Sequence, residues 1–195
     1  FHPAFKHIAP ARKLCAERKQ RTIFNFLGPL LNPARPTAQL MGVPRAELCE
    51  PLARVLQSLG LRRGMVVSGE VSGAECQESG AARLDELSTL GPNTIAEFYQ
   101  ERGFAVSAFD ASQLPLQPAT LDDLRGGDRS ANAEIIRRIL SGVERGPKRD
   151  AVMLNAGAAL FMAGAARSVG EGWELAASVI DDGRAQAKLR ELAAA

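Results

Sequence analysis

The sequence predicts an α/β domain in which helices cover a central sheet. Three observations carry this: short apolar runs at 38–43 and 64–69, a helical period between them, and a last third that is helical throughout. With 195 residues, 46% of them hydrophobic, the chain can bury a real core and is most simply one domain over 1–195.

Residues 3 to 20 have helical character, but Pro10 lacks an amide proton and would break or kink a continuous helix. A second helical segment starting near Pro10 is the alternative, since proline is tolerated in a first turn. TIFNFLGPLLNP, 22–33, holds a glycine and two prolines and predicts a buried, irregular connection. AQLMGV (38–43) reads as a short strand. From Glu50 to Leu59 the residues Leu52, Val55, Leu56 and Leu59 follow a helical period, with Pro51 in the first turn. GMVVSG (64–69) is bounded by glycines and predicts a strand buried on both faces.

The polar, small-residue stretch EVSGAECQESGAA predicts a loop before LDELS. TIAEFYQERG and FAVSAFD follow as strands. SANAEIIRRILSG, the alanine-rich stretch from about 149, and EGWELAASVIDDGRAQAKLREL are the closing helices. There is no internal repeat and no low-complexity linker.

Bulk properties exclude several classes. Twenty-four Lys and Arg against 22 Asp and Glu give +2, interspersed, so no global field points to nucleic acid or to a membrane. The run AVMLNAGAALFMAGAA (151–166) is interrupted by Asn155 and too short to span a bilayer, which predicts a buried core helix. Cys15, Cys49 and Cys76 are widely spaced and read as free thiols in a reducing, cytoplasmic setting. The chain opens FHPAFKHIAP without an initiator methionine, and the expectation is that sequence precedes Phe1.

The candidate chemistry is sparse. Asp85 and Glu86 in RLDELSTLG are either a solvated acidic pair or ligands of a cation. On a regular strand, neighbouring side chains point to opposite faces and could not grip one ion together. On a bend that objection lapses, and two carboxylates with phosphate oxygens and water suit Mg²⁺. Phe5 and Arg12, seven residues apart, fall on one helical face, where a ring and a guanidinium could receive a flat aromatic acid. If Pro10 opens a new helix, Arg12 instead lies in its first turn, where free amides favour an anion. The alternative is a core Phe5 and a surface Arg12.

The basic run RKLCAERKQR (12–21) reads as a solvated helix face. His2 and His7 have no partner for a catalytic triad. Asp128, closing RGGD, is placed as a helix N-cap, and Asn25 and Asn155 as braces of the core.

In order along the chain, HPAFKHIAPARK, RTIFNFLGPLLNPA, QLMGV, LDELSTLGPNTIAE, LRGGDRSANAEIIRRILSG and GPKRDAVMLNAGAAL closely resemble the anthranilate phosphoribosyltransferases. The resemblance implies transfer of the phosphoribosyl group from phosphoribosyl pyrophosphate to the amino group of anthranilate, releasing pyrophosphate, in tryptophan biosynthesis. It implies a larger α/β domain of the nucleoside-phosphorylase kind joined to a small helical domain, usually as a homodimer. It places Mg²⁺ on Asp85 and Glu86, and anthranilate on Arg12, with Phe5, Gly28 and Pro33 beside it.

The sequence also departs from the family. The glycine-rich pyrophosphate loop and the Lys-His-Gly-Asn segment are absent from these residues, as are the family's N-terminal helical domain and first strands. The expectation is therefore that this stretch alone is inactive. The loop between Arg12 and TIFN is about two residues longer than usual, VSGAECQESGAA replaces a tighter turn, and Arg83 stands where glycine is common. The competing readings are an enzyme like the pyrimidine nucleoside phosphorylases and a non-catalytic binding relative.

Overall fold

In the computed structural model, residues 5–20, 22–76, 80–100 and 103–194 are described. His2, the side chain of Cys76, and the parts of predicted elements at 3–4, 77–79 and 101–102 lie outside them. Contacts gather the chain into two compact units, 1–37 and 38–195.

In the first unit, α1 (Phe5–Glu17) runs unbroken through Pro10. The predicted break does not occur. The proline removes one backbone bond, to the Lys6 carbonyl, and the helix continues on the bonds either side of it. A 3-10 turn at Ile23–Asn25 and the short α2 (Leu27–Leu30) follow. The predicted buried connection is instead a pair of turns in which no residue from 22 to 33 is fully buried. Pro29 falls within the first turn of α2, where its missing donor costs no bond. Asn25 is exposed and does not brace the core: its Oδ1 accepts the Thr22 N–H at 2.9 Å and closes the turn locally.

The second unit is built on a five-stranded sheet. β1 (Ala38–Gly42) lies parallel to the start of β2 (Arg63–Cys76), Ala38 opposite Arg63 and Gly42 opposite Val67. β3 (Gly80–Leu84) runs antiparallel to the far half of β2, with Leu84 opposite Gly69. β4 (Asn93–Tyr99) takes the other edge of β2 from Gly69 to Arg63, and β5 (Gly103–Phe109) pairs antiparallel with β4.

The predicted loop before LDELS is therefore a hairpin. A cross-strand pair stands where a loop was expected: Arg83 and Glu70 lie opposite each other, with a 3.0 Å ion pair between half-buried side chains.

Side-chain alternation sends Met65, Val67 and Ile95 to one face of the sheet. There they meet Met153, Leu154, Ala158 and Met162 of α6 (Pro147–Met162), and Trp173, Ala176 and Ile180 of α7 (Val169–Asp181). Val66, Ala96 and Phe98 have the opposite parity, and α3 (Cys49–Ser58) packs against β2 and β4 through Cys49, Ala53 and Leu56. Buried Cys49 is a free thiol pushed up to about 11 by desolvation, so it stays protonated at neutral pH.

The alanine-rich stretch is a core helix, as its composition predicts. Among the described residues no helix is long and apolar enough to cross a membrane. α4 (Leu121–Leu124), α5 (Arg129–Leu140) and α8 (Arg184–Ala194) complete the unit. Asp128 caps α5, accepting the Ala131 N–H at 2.9 Å.

Candidate active site at the Asp85–Glu86 bend

Strand register dictates where the acidic pair goes. β1 and β3 lie end to end along the same edge of β2, β1 paired up to Val67 and β3 arriving from the other direction at Gly69. A chain continuing straight past Leu84 would collide with the end of β1. It bends out of the sheet at Asp85 and Glu86, crosses over β2, and joins the opposite edge as β4 at Asn93.

Two glycines make this crossing possible. A β-carbon on Gly42 would overlap the Asp85 carbonyl, and one on Gly69 would lie 2.5 Å from both Ser88 N and Ser88 Cβ. The geometric condition for joint action of the two acids, departure from strand geometry, is met: both are exposed on the bend. They sit beyond the carboxyl end of β1, the rim at which α/β sheets hold ligands.

The bend is fastened from behind. Leu87, 1% exposed, enters the core, and Ser88 is fully buried. The Asn155 side chain grips the Leu87 backbone on both sides: Oδ1 accepts its N–H at 2.9 Å and Nδ2 donates to its carbonyl at 2.9 Å. Nδ2 also donates to Ala151 O within α6 at 3.1 Å. Asn93 grips the next residue, accepting the Ser88 N–H at 2.6 Å and donating to the Ser88 carbonyl at 3.0 Å. Its amide reaches Gly91 O at 3.2 Å and Phe109 O at 3.3 Å as well.

Electrostatics set the two acids on edge. Though Glu86 is exposed, it faces a groove whose walls desolvate its carboxyl, and this, followed by the Asp85 charge beside it, raises its pKa above the usual glutamate value. A cation between them relieves both effects. Among the described residues no group of three or more His, Cys, Asp or Glu side chains is placed to hold a metal. Two carboxylates alone suit a hard cation that keeps water and substrate oxygens in its shell. Glu86 also lines a groove of about 670 Å³ with Asn132, Lys148, Val152 and Asn155, and Lys148 Nζ donates to the Asp123 carbonyl there.

In the 1–37 unit, Arg12 is exposed in the interior of α1, so the first-turn amides considered for it are not available. With Lys13, Cys15, Gln20, Thr22 and Asn25 it lines a cavity of about 380 Å³. Phe5 is half-buried on the same helix two turns earlier, while Gly28 and Pro33 are exposed. None of those three lines the Arg12 cavity.

Sequence reasoning missed Gly42, Gly69, Asn93 and Lys148. The signals were present in part: glycines at the ends of apolar strand runs, and an asparagine directly after Gly-Pro at a strand start.

A model of the glycosyl transferase family, a/b domain, matches residues 1–186. The chain belongs to the glycosyl transferase family. It is 44% identical over 186 residues to anthranilate phosphoribosyltransferase 2 of Streptomyces coelicolor, covering 95% of this chain and 50% of that protein. It is 45% identical over 197 residues to the anthranilate phosphoribosyltransferase of Rhodospirillum rubrum, covering 99% and 51%. The crystal structure of the Thermus thermophilus anthranilate phosphoribosyltransferase superposes with a TM-score of 0.79 at 40% identity, over 98% of this chain and 52% of that one. A structure of the Saccharomyces cerevisiae enzyme with PRPP and Mg shares the fold, with a TM-score of 0.76 at 24% identity over 97% and 49%. The chain thus spans about half the length of the curated relatives it matches.

Proposed function

We propose that this chain forms the α/β part of an anthranilate phosphoribosyltransferase, which transfers the phosphoribosyl group of phosphoribosyl pyrophosphate to the amine of anthranilate. The observation that carries the reading is the bend at Asp85 and Glu86. Two adjacent carboxylates are lifted out of the sheet and held beyond the end of β1, in a chain 44–45% identical to enzymes named for that activity.

The residues fit Mg²⁺. Asp85 and Glu86 supply a minimal oxygen donor set that leaves room for pyrophosphate, and a cation there offsets the effects that raise the Glu86 pKa. Bound there, the ion supplies Lewis-acid stabilisation of the charge that gathers on departing pyrophosphate. Arg12, on α1, pairs with the anthranilate carboxylate through its planar guanidinium, with Phe5, Gly28 and Pro33 completing the aromatic site. The amine of anthranilate is a neutral nucleophile at pH 7 and needs no strong base, in keeping with a site built from positioning groups. The working enzyme is a cytoplasmic homodimer.

The test is direct. The full-length protein is given anthranilate, phosphoribosyl pyrophosphate and Mg²⁺, and anthranilate fluorescence is followed. Consumption that requires all three components supports the proposal, and none at all overturns it. Replacing Asp85 and Glu86 together with alanine raises the Mg²⁺ concentration for half-maximal rate more than about tenfold, since even supporting groups of a metal site are worth that much. An unchanged Mg²⁺ dependence returns the pair to the status of solvated acids.

A further inference from the structure

We infer that Asn155 is a positioning residue for the acidic pair, acting through the backbone of Leu87; this rests on the metal reading of Asp85 and Glu86. Leu87 leaves the sheet with its neighbours, so its N–H and C=O have no strand partner, yet its side chain is buried and its backbone is shielded from water. A buried peptide group must be paired. The primary amide of Asn155 presents one acceptor and two donors and pairs with that residue as a short length of strand would, at 2.9 Å on each side. Its second donor is spent on Ala151 O, which fixes the rotamer against its own helix.

Glu86 is joined covalently to a residue fixed three ways, by its side chain in the core and by both backbone groups on α6. The direction in which the Glu86 carboxylate leaves the bend is therefore set by α6. Asn155 and Glu86 also line the same groove, so the amide stands behind the site and not remote from it. Asn93 performs a similar service one residue later for Ser88, but it grips the stretch leading into β4. Asn155 fastens the residue that directly follows Glu86.

The test measures metal directly in the full-length protein. Binding of Mn²⁺, as a probe for Mg²⁺, is followed by electron paramagnetic resonance in the presence of pyrophosphate, at temperatures where circular dichroism shows each variant folded. Asn155→Ala is expected to weaken Mn²⁺ binding about tenfold, the lower end of what supporting groups of a metal site contribute. Asn155→Gln keeps an uncharged amide with both donor and acceptor but sets it one methylene further out, so it can pair with Leu87 only by shifting the bend, and it is expected to fall between. It serves if the alanine variant does not fold.

Ile180→Ala, a cavity in the same core, is expected to lower stability with unchanged Mn²⁺ affinity. The KM for anthranilate is expected to stay within twofold in both Asn155 variants. Weak binding in the Asp85→Ala, Glu86→Ala double variant alongside unaltered binding in the Asn155 variants overturns this inference alone. Full binding in the double variant overturns the metal reading and this inference with it.

Discussion

A β-carbon placed on Gly42 would lie 1.5 Å from the carbonyl oxygen of Asp85 and 2.4 Å from its carbonyl carbon. Glycine at the last position of β1 is thus what lets the acidic bend pass across the end of that strand. The obstacle is backbone, and no rotamer change relieves it. Gly42→Ala is expected to displace the bend and to cost about 3 kcal/mol of stability, at the upper end of what overpacking usually costs. Urea denaturation measures the stability. A variant within 0.5 kcal/mol, about the ordinary scatter of surface substitutions, would show that the bend shifts freely.

Much of the second unit was legible in the sequence because its elements answer to local chemistry. GMVVSG reads as a buried strand from apolar residues between glycines, Asp128 reads as a cap from its place before a helical period, and Asn155 reads as a brace from a polar group in an apolar run. What was not legible depends on partners far along the chain. The hairpin before LDELS rests on the Glu70–Arg83 pair, thirteen residues apart and set in a stretch whose composition reads as loop. The position of Asp85 and Glu86 depends on β1 and β3 meeting end to end along one edge of β2, which is a fact of register and not of spacing. Pro10 misled because one missing backbone bond does not end a helix whose neighbouring bonds are kept.

The two compact units allow a prediction that separates the two substrates. Arg12 stands on α1 with the other residues of its cavity drawn from 9–25, while the acidic pair belongs to the 38–195 unit. On the proposed function, Arg12→Ala removes a charge-assisted contact to the anthranilate carboxylate worth about 2 kcal/mol, or roughly a 30-fold rise in the KM for anthranilate. The KM for phosphoribosyl pyrophosphate is expected to stay within about twofold, a scatter of under 0.5 kcal/mol. Steady-state kinetics with each substrate varied in turn decide it, and equal losses for both would remove Arg12 from the anthranilate site.

The helix that carries Asn155 begins at a buried cation. Arg149 has only 5% of its side chain exposed, and its Nη2 pairs with Asp181 Oδ1 of α7 at 2.9 Å, while Arg145 reaches the same oxygen at 3.0 Å. Its Nε contacts Met153 Sδ at 3.5 Å. The hydrogen bond from Arg149, and then the charges of Arg149 and Arg145, hold the Asp181 carboxyl below the usual aspartate range. Asp181→Asn keeps the shape but removes the carboxylate paired with buried Arg149, leaving the neighbouring Asp150 as a charge that acts on it without an ion pair. Breaking a fully buried pair costs about 3–5 kcal/mol, and since the Asp181 side chain is 40% exposed, a cost on the order of 2 kcal/mol is expected. The sign with pH follows from the direction of the shift. A carboxylate whose folded pKa is depressed stabilises fully above its unfolded value, near 4, and that stability is lost as pH falls through the lower folded value. The gap in melting temperature between the unaltered and Asp181→Asn proteins is therefore constant from pH 8 down to about 5 and closes below about pH 4. A gap that persists unchanged at pH 2–3 would mean that the substitution acts through packing, and that the α6–α7 junction does not depend on the Asp181 charge.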